Sequence, residues 1–198
     1  MRLLVLTEYF PNPFKPYFDE QTTLLAEAGA DVRITAIGKW ADRASTDGPV
    51  DLVARTTYAP REAASWRGLL ASVRRAAHRP AHAAGLLHRE MRLERRPRAL
   101  AAVLTRALHL PADRPDCVLV HDLTTLYTFR GLRSAHPGVP IVLWYHGGEV
   151  PGSAVLPEPT VREVLRSVTL GIGNTEYAAT ALAARGVPRE RIRVMPIG

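Results

Sequence analysis

The chain opens on a run at residues 2–7 whose interior, Leu3-Leu4-Val5-Leu6, is unbroken apolar, closed by Glu8-Tyr9-Phe10 and the breaker cluster Pro11-Asn12-Pro13. A run this short, stopped by prolines, predicts a strand buried on both faces. The pattern then switches to helical spacing over 18–28, with Leu24, Leu25 and Ala28 as its apolar positions and Gly29 as the C-terminal cap. Residues 31–37, Asp31-Val32-Arg33-Ile34-Thr35-Ala36-Ile37, read as a second strand. Strand, helix and strand within so short a span make a βαβ unit, and hence a parallel sheet with right-handed crossovers.

After a stretch rich in Gly, Pro, Asp and Thr, with one weak strand at 52–55, residues 62–108 turn helical, with Pro80 and Pro97 as breaks. In the first of these helices Trp66, Leu69, Leu70, Val73 and Ala77 fall on one side, and Arg67, Arg74 and Arg75 spread over the remainder. The alternation then resumes. Strands are predicted at 116–120, 141–145, 168–172 and 192–195, and helices at 124–135, 157–166 and 175–184. About seven strands and six helices, with no repeat at fixed period, predict an α/β fold: a Rossmann-like, doubly wound parallel sheet.

Length and charge narrow this picture. A chain of 198 residues fits one domain, or one half of a two-domain protein. The lone Cys117 excludes an intramolecular disulfide framework and fits a reducing cytosol. No apolar run is long enough for a membrane span, and Glu8 interrupts the first one too early for a signal peptide, so a cytoplasmic location is expected. The net charge of +7 is regional: residues 61–114 hold twelve Arg against Glu62, Glu90, Glu94 and Asp113. Such an excess can meet an anionic membrane, a phosphorylated substrate or nucleic acid, or be a solvated helix face. Nucleic acid is disfavoured, with 7% aromatic residues and no recognition motif.

In a parallel sheet, ligands bind outside the carboxyl ends of the strands, so the residues following each strand are the candidates for chemistry. His146-Gly147-Gly148-Glu149 is the sharpest set. Its glycines let a ligand approach the main-chain N–H groups, His146 can donate a hydrogen bond or move a proton near neutral pH, and Glu149 can bind hydroxyls. The plainer reading is a Gly-Gly turn beside a half-buried histidine. Asn12, Lys15 and Tyr17 lead into the first helix, whose N-terminus attracts anions, although Asn12-Pro13 also reads as a turn. His121-Asp122 is either a proton-handling pair or a helix cap, and Asn174-Thr175-Glu176 carries the same ambiguity. His78, His82 and His88 lack a carboxylate or thiolate at ligand spacing, so no metal site is expected. No Gly-x-Gly-x-x-Gly follows the first strand, and there is no Walker loop, no Gly-x-Ser-x-Gly elbow and no zinc pattern.

Five segments, taken in order, resemble the N-terminal domain of family 4 glycosyltransferases. They are Leu4-Val5-Leu6-Thr7-Glu8-Tyr9-Phe10-Pro11, Leu24-Leu25-Ala26-Glu27-Ala28-Gly29-Ala30-Asp31-Val32, Val118-Leu119-Val120-His121, Trp144-Tyr145-His146-Gly147-Gly148-Glu149-Val150-Pro151, and the stretch from Gly186 through Arg193-Val194-Met195-Pro196-Ile197-Gly198. The resemblance spans the chain and is weakest in the Arg-rich middle. It implies one half of a two-domain GT-B enzyme that retains anomeric configuration. The N-terminal domain of such an enzyme binds the acceptor, while a C-terminal domain binds the nucleotide sugar.

On that resemblance the chain is a single domain over 1–198 with an Arg-rich helical insertion at about 61–110. The donor-binding domain and its paired glutamates are then missing, and the fragment alone is expected to be inactive. The nucleotide sugar is a co-substrate, with no cofactor or metal required. The acceptor is a glycan, a lipid-linked sugar or a small molecule. His146 is implied to lie by the transferred sugar as the catalytic residue. Asn12, Lys15, Tyr17, His121, Asp122, Gly147, Gly148, Glu149, Asn174, Thr175 and Glu176 are expected to bind substrate. Many members carry a Gly-Gly loop after the first strand that approaches the donor phosphates; this chain has Asn12-Pro13-Phe14-Lys15 there, and Pro196-Ile197-Gly198 in place of Pro-Asn-Gly. Enzymes with lipid-linked acceptors often dock through a basic amphipathic helix, so peripheral contact with the inner face of an anionic membrane is a further expectation. A non-catalytic Rossmann-like binding module and half of a sugar-nucleotide epimerase are the alternatives.

Overall fold

The computed structural model describes residues 1–12, 16–38, 51–60, 66–93, 97–146 and 158–196. Seven strands form one sheet: β1 (Arg2–Tyr9), β2 (Asp31–Gly38), β3 (Thr56–Tyr58), β4 (Cys117–Val120), β5 (Ile141–Tyr145), β6 (Leu170–Gly173) and β7 (Ile192–Val194). They lie in the order β3-β2-β1-β4-β5-β6-β7, and every pairing is parallel. The chain runs outward from β1 to β3, returns beside β1 with β4, and continues the other way to β7. That reversal puts a switch point between β1 and β4, where connections diverge and a crevice opens at the carboxyl ends. The register aligns Leu6 with Val120 and Val120 with Leu143, so β4 stops short between β1, which runs on to Tyr9, and β5, which runs on to Tyr145.

The apolar runs are continuous because both faces of the sheet are covered. Leu4 and Leu6 join Val118, Val120, Leu143 and Tyr145 in a core shared with helices α5 (Leu123–Thr128), α7 (Glu158–Arg166) and α8 (Glu176–Ala184). Leu3, Val5, Val32, Ile34 and Leu119 point the other way, against Leu25 and Ala26 of α1 (Pro16–Glu27). Between β3 and β4 the chain forms α2 (Trp66–His78), α3 (Pro80–Leu93) and α4 (Pro97–Ala107), and α6 (Leu132–Ala135) follows α5. Pro80 and Pro97 stand at the first positions of α3 and α4, where their missing N–H costs nothing.

Four expectations needed correction. Residues 52–55 are a turn, and the strand is Thr56–Tyr58. The Asp51 carboxylate accepts the Ala54 N–H at 3.1 Å and the Thr56 hydroxyl donates to the Leu52 carbonyl at 2.7 Å, so local side-chain bonds close the turn. The single helix expected at 124–135 is two, α5 and α6, parted at Gly131. A Cβ there would come within 2.7 Å of the Ala107 methyl, so the break admits α4 to close contact. In α1 the buried residues are Phe18, Asp19 and Thr22, while Leu24 and Ala28 are exposed. Two of the three are polar and are satisfied locally: Asp19 accepts the Asn12 N–H and Thr22 donates to the Phe18 carbonyl. Hydrophobic periodicity cannot see such a face. On α2, Leu70, Val73 and Ala77 face outward and Ser72 is buried.

Candidate functional site

The first turn of α1 packs across the carboxyl ends of β4 and β5. Phe18, fully buried, stacks on His121 with centroids 4.1 Å apart and planes 20° from parallel, and lies 4.9 Å from the His146 ring. Tyr17 meets His146 edge-on at 5.5 Å, and Trp144, two residues back on β5 and therefore on the same side of the strand, lies nearly parallel to His146 at 6.2 Å. His146 is thus oriented by three aromatic rings contributed by a helix and a strand. Beside it a cleft of about 280 Å³ is lined by Tyr17, Glu20, Gln21, Leu24, Trp144, His146 and Pro196.

The cleft is amphipathic. Tyr17, Trp144 and Leu24 offer apolar surface, while Glu20, Gln21 and the Tyr17 phenol offer polar groups; the His146 ring borders the cleft with both of its nitrogens buried. Burial pushes the Tyr17 phenol above its usual value, so at neutral pH it is an O–H donor. Trp144 Nε1 is buried and has no hydrogen-bond partner among the described residues. An aromatic wall with hydroxyl-binding groups at its edge suits a ligand with an apolar face and polar rim.

The other expected residues separate into two groups. Asn12 is buried, with its N–H donated to both Asp19 oxygens at 3.0 and 2.9 Å, which fixes the path from β1 into α1. His121 is fully buried behind Phe18. Asp122 caps α5: one oxygen accepts the Thr125 N–H and the other the Thr125 hydroxyl at 2.8 Å. Thr175 caps α8 by accepting the Ala178 N–H at 3.1 Å. Glu176 is exposed and pairs with Arg189 at 3.3 Å. Asn174 lies next to β5, its N–H donated to the Tyr145 carbonyl at 3.4 Å, and its Oδ1 is buried with no partner among the described residues. Lys15, Gly147, Gly148 and Glu149 fall outside the described residues.

The structure therefore brings Tyr17 and His146 together in one cleft and links His121 to them through Phe18. Glu20, Gln21, Leu24 and Trp144 also line that cleft, and none of them was a sequence candidate. Glu20, Gln21 and Leu24 share one exposed side of α1, a signal usable only once the buried side was known. Trp144 shares His146's side of β5 by the two-residue period, a signal that was available.

Residues 25–198 match the family model described as Glycosyltransferase Family 4. The chain belongs to Glycosyltransferase Family 4. No curated protein matches its sequence. Among solved structures, this family 4 chain is similar to HepE (Alr3699) of Anabaena in complex with UDP and glucose, at 13% identity and a TM-score of 0.54, over 100% of this chain and 44% of that one. HepE in complex with UDP-glucose gives 12% identity and 0.52, with the same coverage. The UDP-N-acetylglucosamine 2-epimerase of Rickettsia bellii gives 13% and 0.50, over 98% of this chain and 43% of that chain. At such identities the likeness concerns the fold, and the chain spans less than half the length of these structures.

Proposed function

We propose that this family 4 chain is the acceptor-binding half of a retaining glycosyltransferase. The enzyme moves a sugar of the hexosyl type from a nucleotide donor to a glycan, a lipid-linked sugar or a small molecule. One observation carries the reading: His146, held by three aromatic rings at the carboxyl end of β5, faces an open cleft beside the switch point of the sheet. In a family 4 chain that is where an acceptor would wait for the donated sugar.

The chemistry follows from the groups present. Departure of the nucleotide leaves positive charge on the sugar ring and negative charge on the leaving phosphate. A pre-placed imidazole at His146 would hydrogen-bond the transferred sugar as that charge develops, without waiting for solvent to reorganise. The rings of Tyr17 and Trp144 would pack on the apolar face of an acceptor sugar, with Glu20, Gln21 and the Tyr17 O–H taking its hydroxyls. Gly147, Gly148 and Glu149, next in sequence to His146, extend the proposed site, as do Lys15 on the approach to α1 and Asn174 beside β5. Phe18, His121, Asp122, Asn12 and Thr175 hold the frame on which those groups stand.

In this reading the nucleotide sugar is bound mainly by a second domain, no metal takes part, and the 198-residue chain does not turn over alone. The enzyme works in the cytoplasm, where Cys117 stays reduced. The test is turnover of nucleotide sugars by the protein encoded by the native gene, with and without sugar acceptors. Acceptor-dependent nucleotide release with the anomeric configuration kept supports the proposal. Rearrangement of the sugar without acceptor would instead mark an epimerase, and binding without turnover a non-catalytic module.

A further inference from the structure

The cleft beside His146 runs against the charge of the chain. The sequence holds 26 Lys+Arg against 19 Asp+Glu, yet no Lys or Arg stands among the residues lining this cleft, and Glu20 is its carboxylate. The helix that forms one wall, α1, carries Asp19, Glu20 and Glu27 and no basic residue. Asp19 is buried and accepts the Asn12 N–H, so its charge is engaged inside the fold. Glu20 is exposed at the cleft, with no ion-pair or hydrogen-bond partner among the described residues.

Arginines of the neighbouring strands are engaged elsewhere. Arg2 and Arg55 pair with Asp116 and Asp31, at the amino ends of β4 and β2 and so at the far edge of the sheet from the cleft. Arg193 of β7 is in register with Ile172, which is in register with Trp144. Its guanidinium nevertheless turns back to the start of its own strand, donating to the Glu190 and Ile192 carbonyls at 2.9 Å each. The described cleft therefore combines one unpaired carboxylate with the aromatic walls of Tyr17 and Trp144, and lacks a cation.

We propose that this cleft selects a sugar bearing a protonated amino group, and that Glu20 is the residue that selects it. The inference rests on the acceptor reading above and narrows it to one class of acceptor. An ammonium is attracted by the Glu20 carboxylate and by the aromatic faces beside it, whereas a hydroxyl gains neither attraction in full and a phosphate is repelled by Glu20. Partial exclusion of water from the cleft strengthens both effects. A volume of about 280 Å³ leaves room for a single sugar ring rather than an extended chain.

Calorimetric titration of the full chain with methyl glucosaminide, methyl glucoside and glucose 6-phosphate tests it. At about pH 6.5, where the amine is protonated, the glucosaminide is expected to bind about tenfold more tightly than the glucoside, with the phosphate weakest. At about pH 9, where the amine is neutral, that preference disappears. Glu20→Gln, at an exposed position that leaves the circular dichroism unchanged, also abolishes it at the lower pH. Equal binding of glucosaminide and glucoside at pH 6.5 overturns the proposal, as does a preference that survives in Glu20→Gln, tighter binding of the phosphate, or no glucosaminide binding. Turnover by the full-length enzyme separates this from the acceptor reading. Selective binding of the amino sugar without transfer removes the transferase and leaves the selectivity; transfer that favours the neutral sugar does the reverse.

Discussion

Phe18 lies almost flat against His121, with ring centroids 4.1 Å apart, and the same ring reaches His146 at 4.9 Å. One buried side chain on α1 therefore touches the residue that follows β4 and the residue that follows β5. Phe18→Ala would leave a cavity behind both histidines and cost about 3–5 kcal/mol of stability, with Phe18→Leu costing less. Urea unfolding monitored by circular dichroism measures both, and equal stability of the Ala variant and wild type would show that the ring does not brace this corner.

A cap and a substrate ligand answer differently to mutation. Both Asp122 oxygens are engaged at the start of α5, so Asp122→Ala should cost roughly 1–2 kcal/mol. If capping is the whole of its role, the full enzyme's KM for acceptor stays put while the midpoint of thermal unfolding drops. A raised KM at unchanged stability would move Asp122 into the substrate site.

Acid should weaken the fold through His136. Burial, with His82, Arg79 and Arg114 nearby, lowers its ring from 6.5 to about 4. Above pH 6.5 the ring is neutral folded or unfolded and contributes no pH dependence. As pH falls from 6.5 towards 4 the unfolded chain takes up a proton that the folded one refuses, so stability declines across that window, by at most roughly 3 kcal/mol. Unfolding free energies at pH 7 and pH 5 should differ less in His136→Gln than in the wild type; an identical difference would contradict the assignment.

The fold was legible in the sequence where one apolar run met one structural demand. β1, β4 and β5 are short continuous runs because both sheet faces are covered, and Gly29 closes α1 in the left-handed region at a φ of 90°. The signal failed where polar residues are buried with local partners, as at Asp19 and Thr22, and where tertiary contact overrides helix propensity, as at Gly131. Of the candidate site, His146 and Tyr17 were readable from their places at a strand end and a helix start. The remainder of the cleft was not, because Glu20, Gln21 and Leu24 reach it only through the rotation that Phe18 imposes on α1.

The ion pair between Glu90 and Arg130 joins α3 to the end of α5, with side chains 0% and 2% exposed. Burial pushes the Glu90 carboxyl up although Arg130 and Arg89 pull the other way. Glu90→Ala would strand the Arg130 charge and cost about 3–5 kcal/mol. Glu90→Gln, which keeps an acceptor for the Arg130 Nε–H, should cost distinctly less. Equal losses in chemical denaturation would mean that the hydrogen bond contributes nothing beyond the charge.

The most direct measurement is kcat of the full-length enzyme carrying His146→Ala, alongside its thermal unfolding. The ring is half-buried and braced by Tyr17, Phe18 and Trp144, so its loss leaves the strand in place. The account predicts a fall in kcat of about 100-fold or more with the unfolding midpoint nearly unchanged. A variant that turns over nucleotide sugar at the wild-type rate would remove His146, and the cleft built around it, from the transfer reaction.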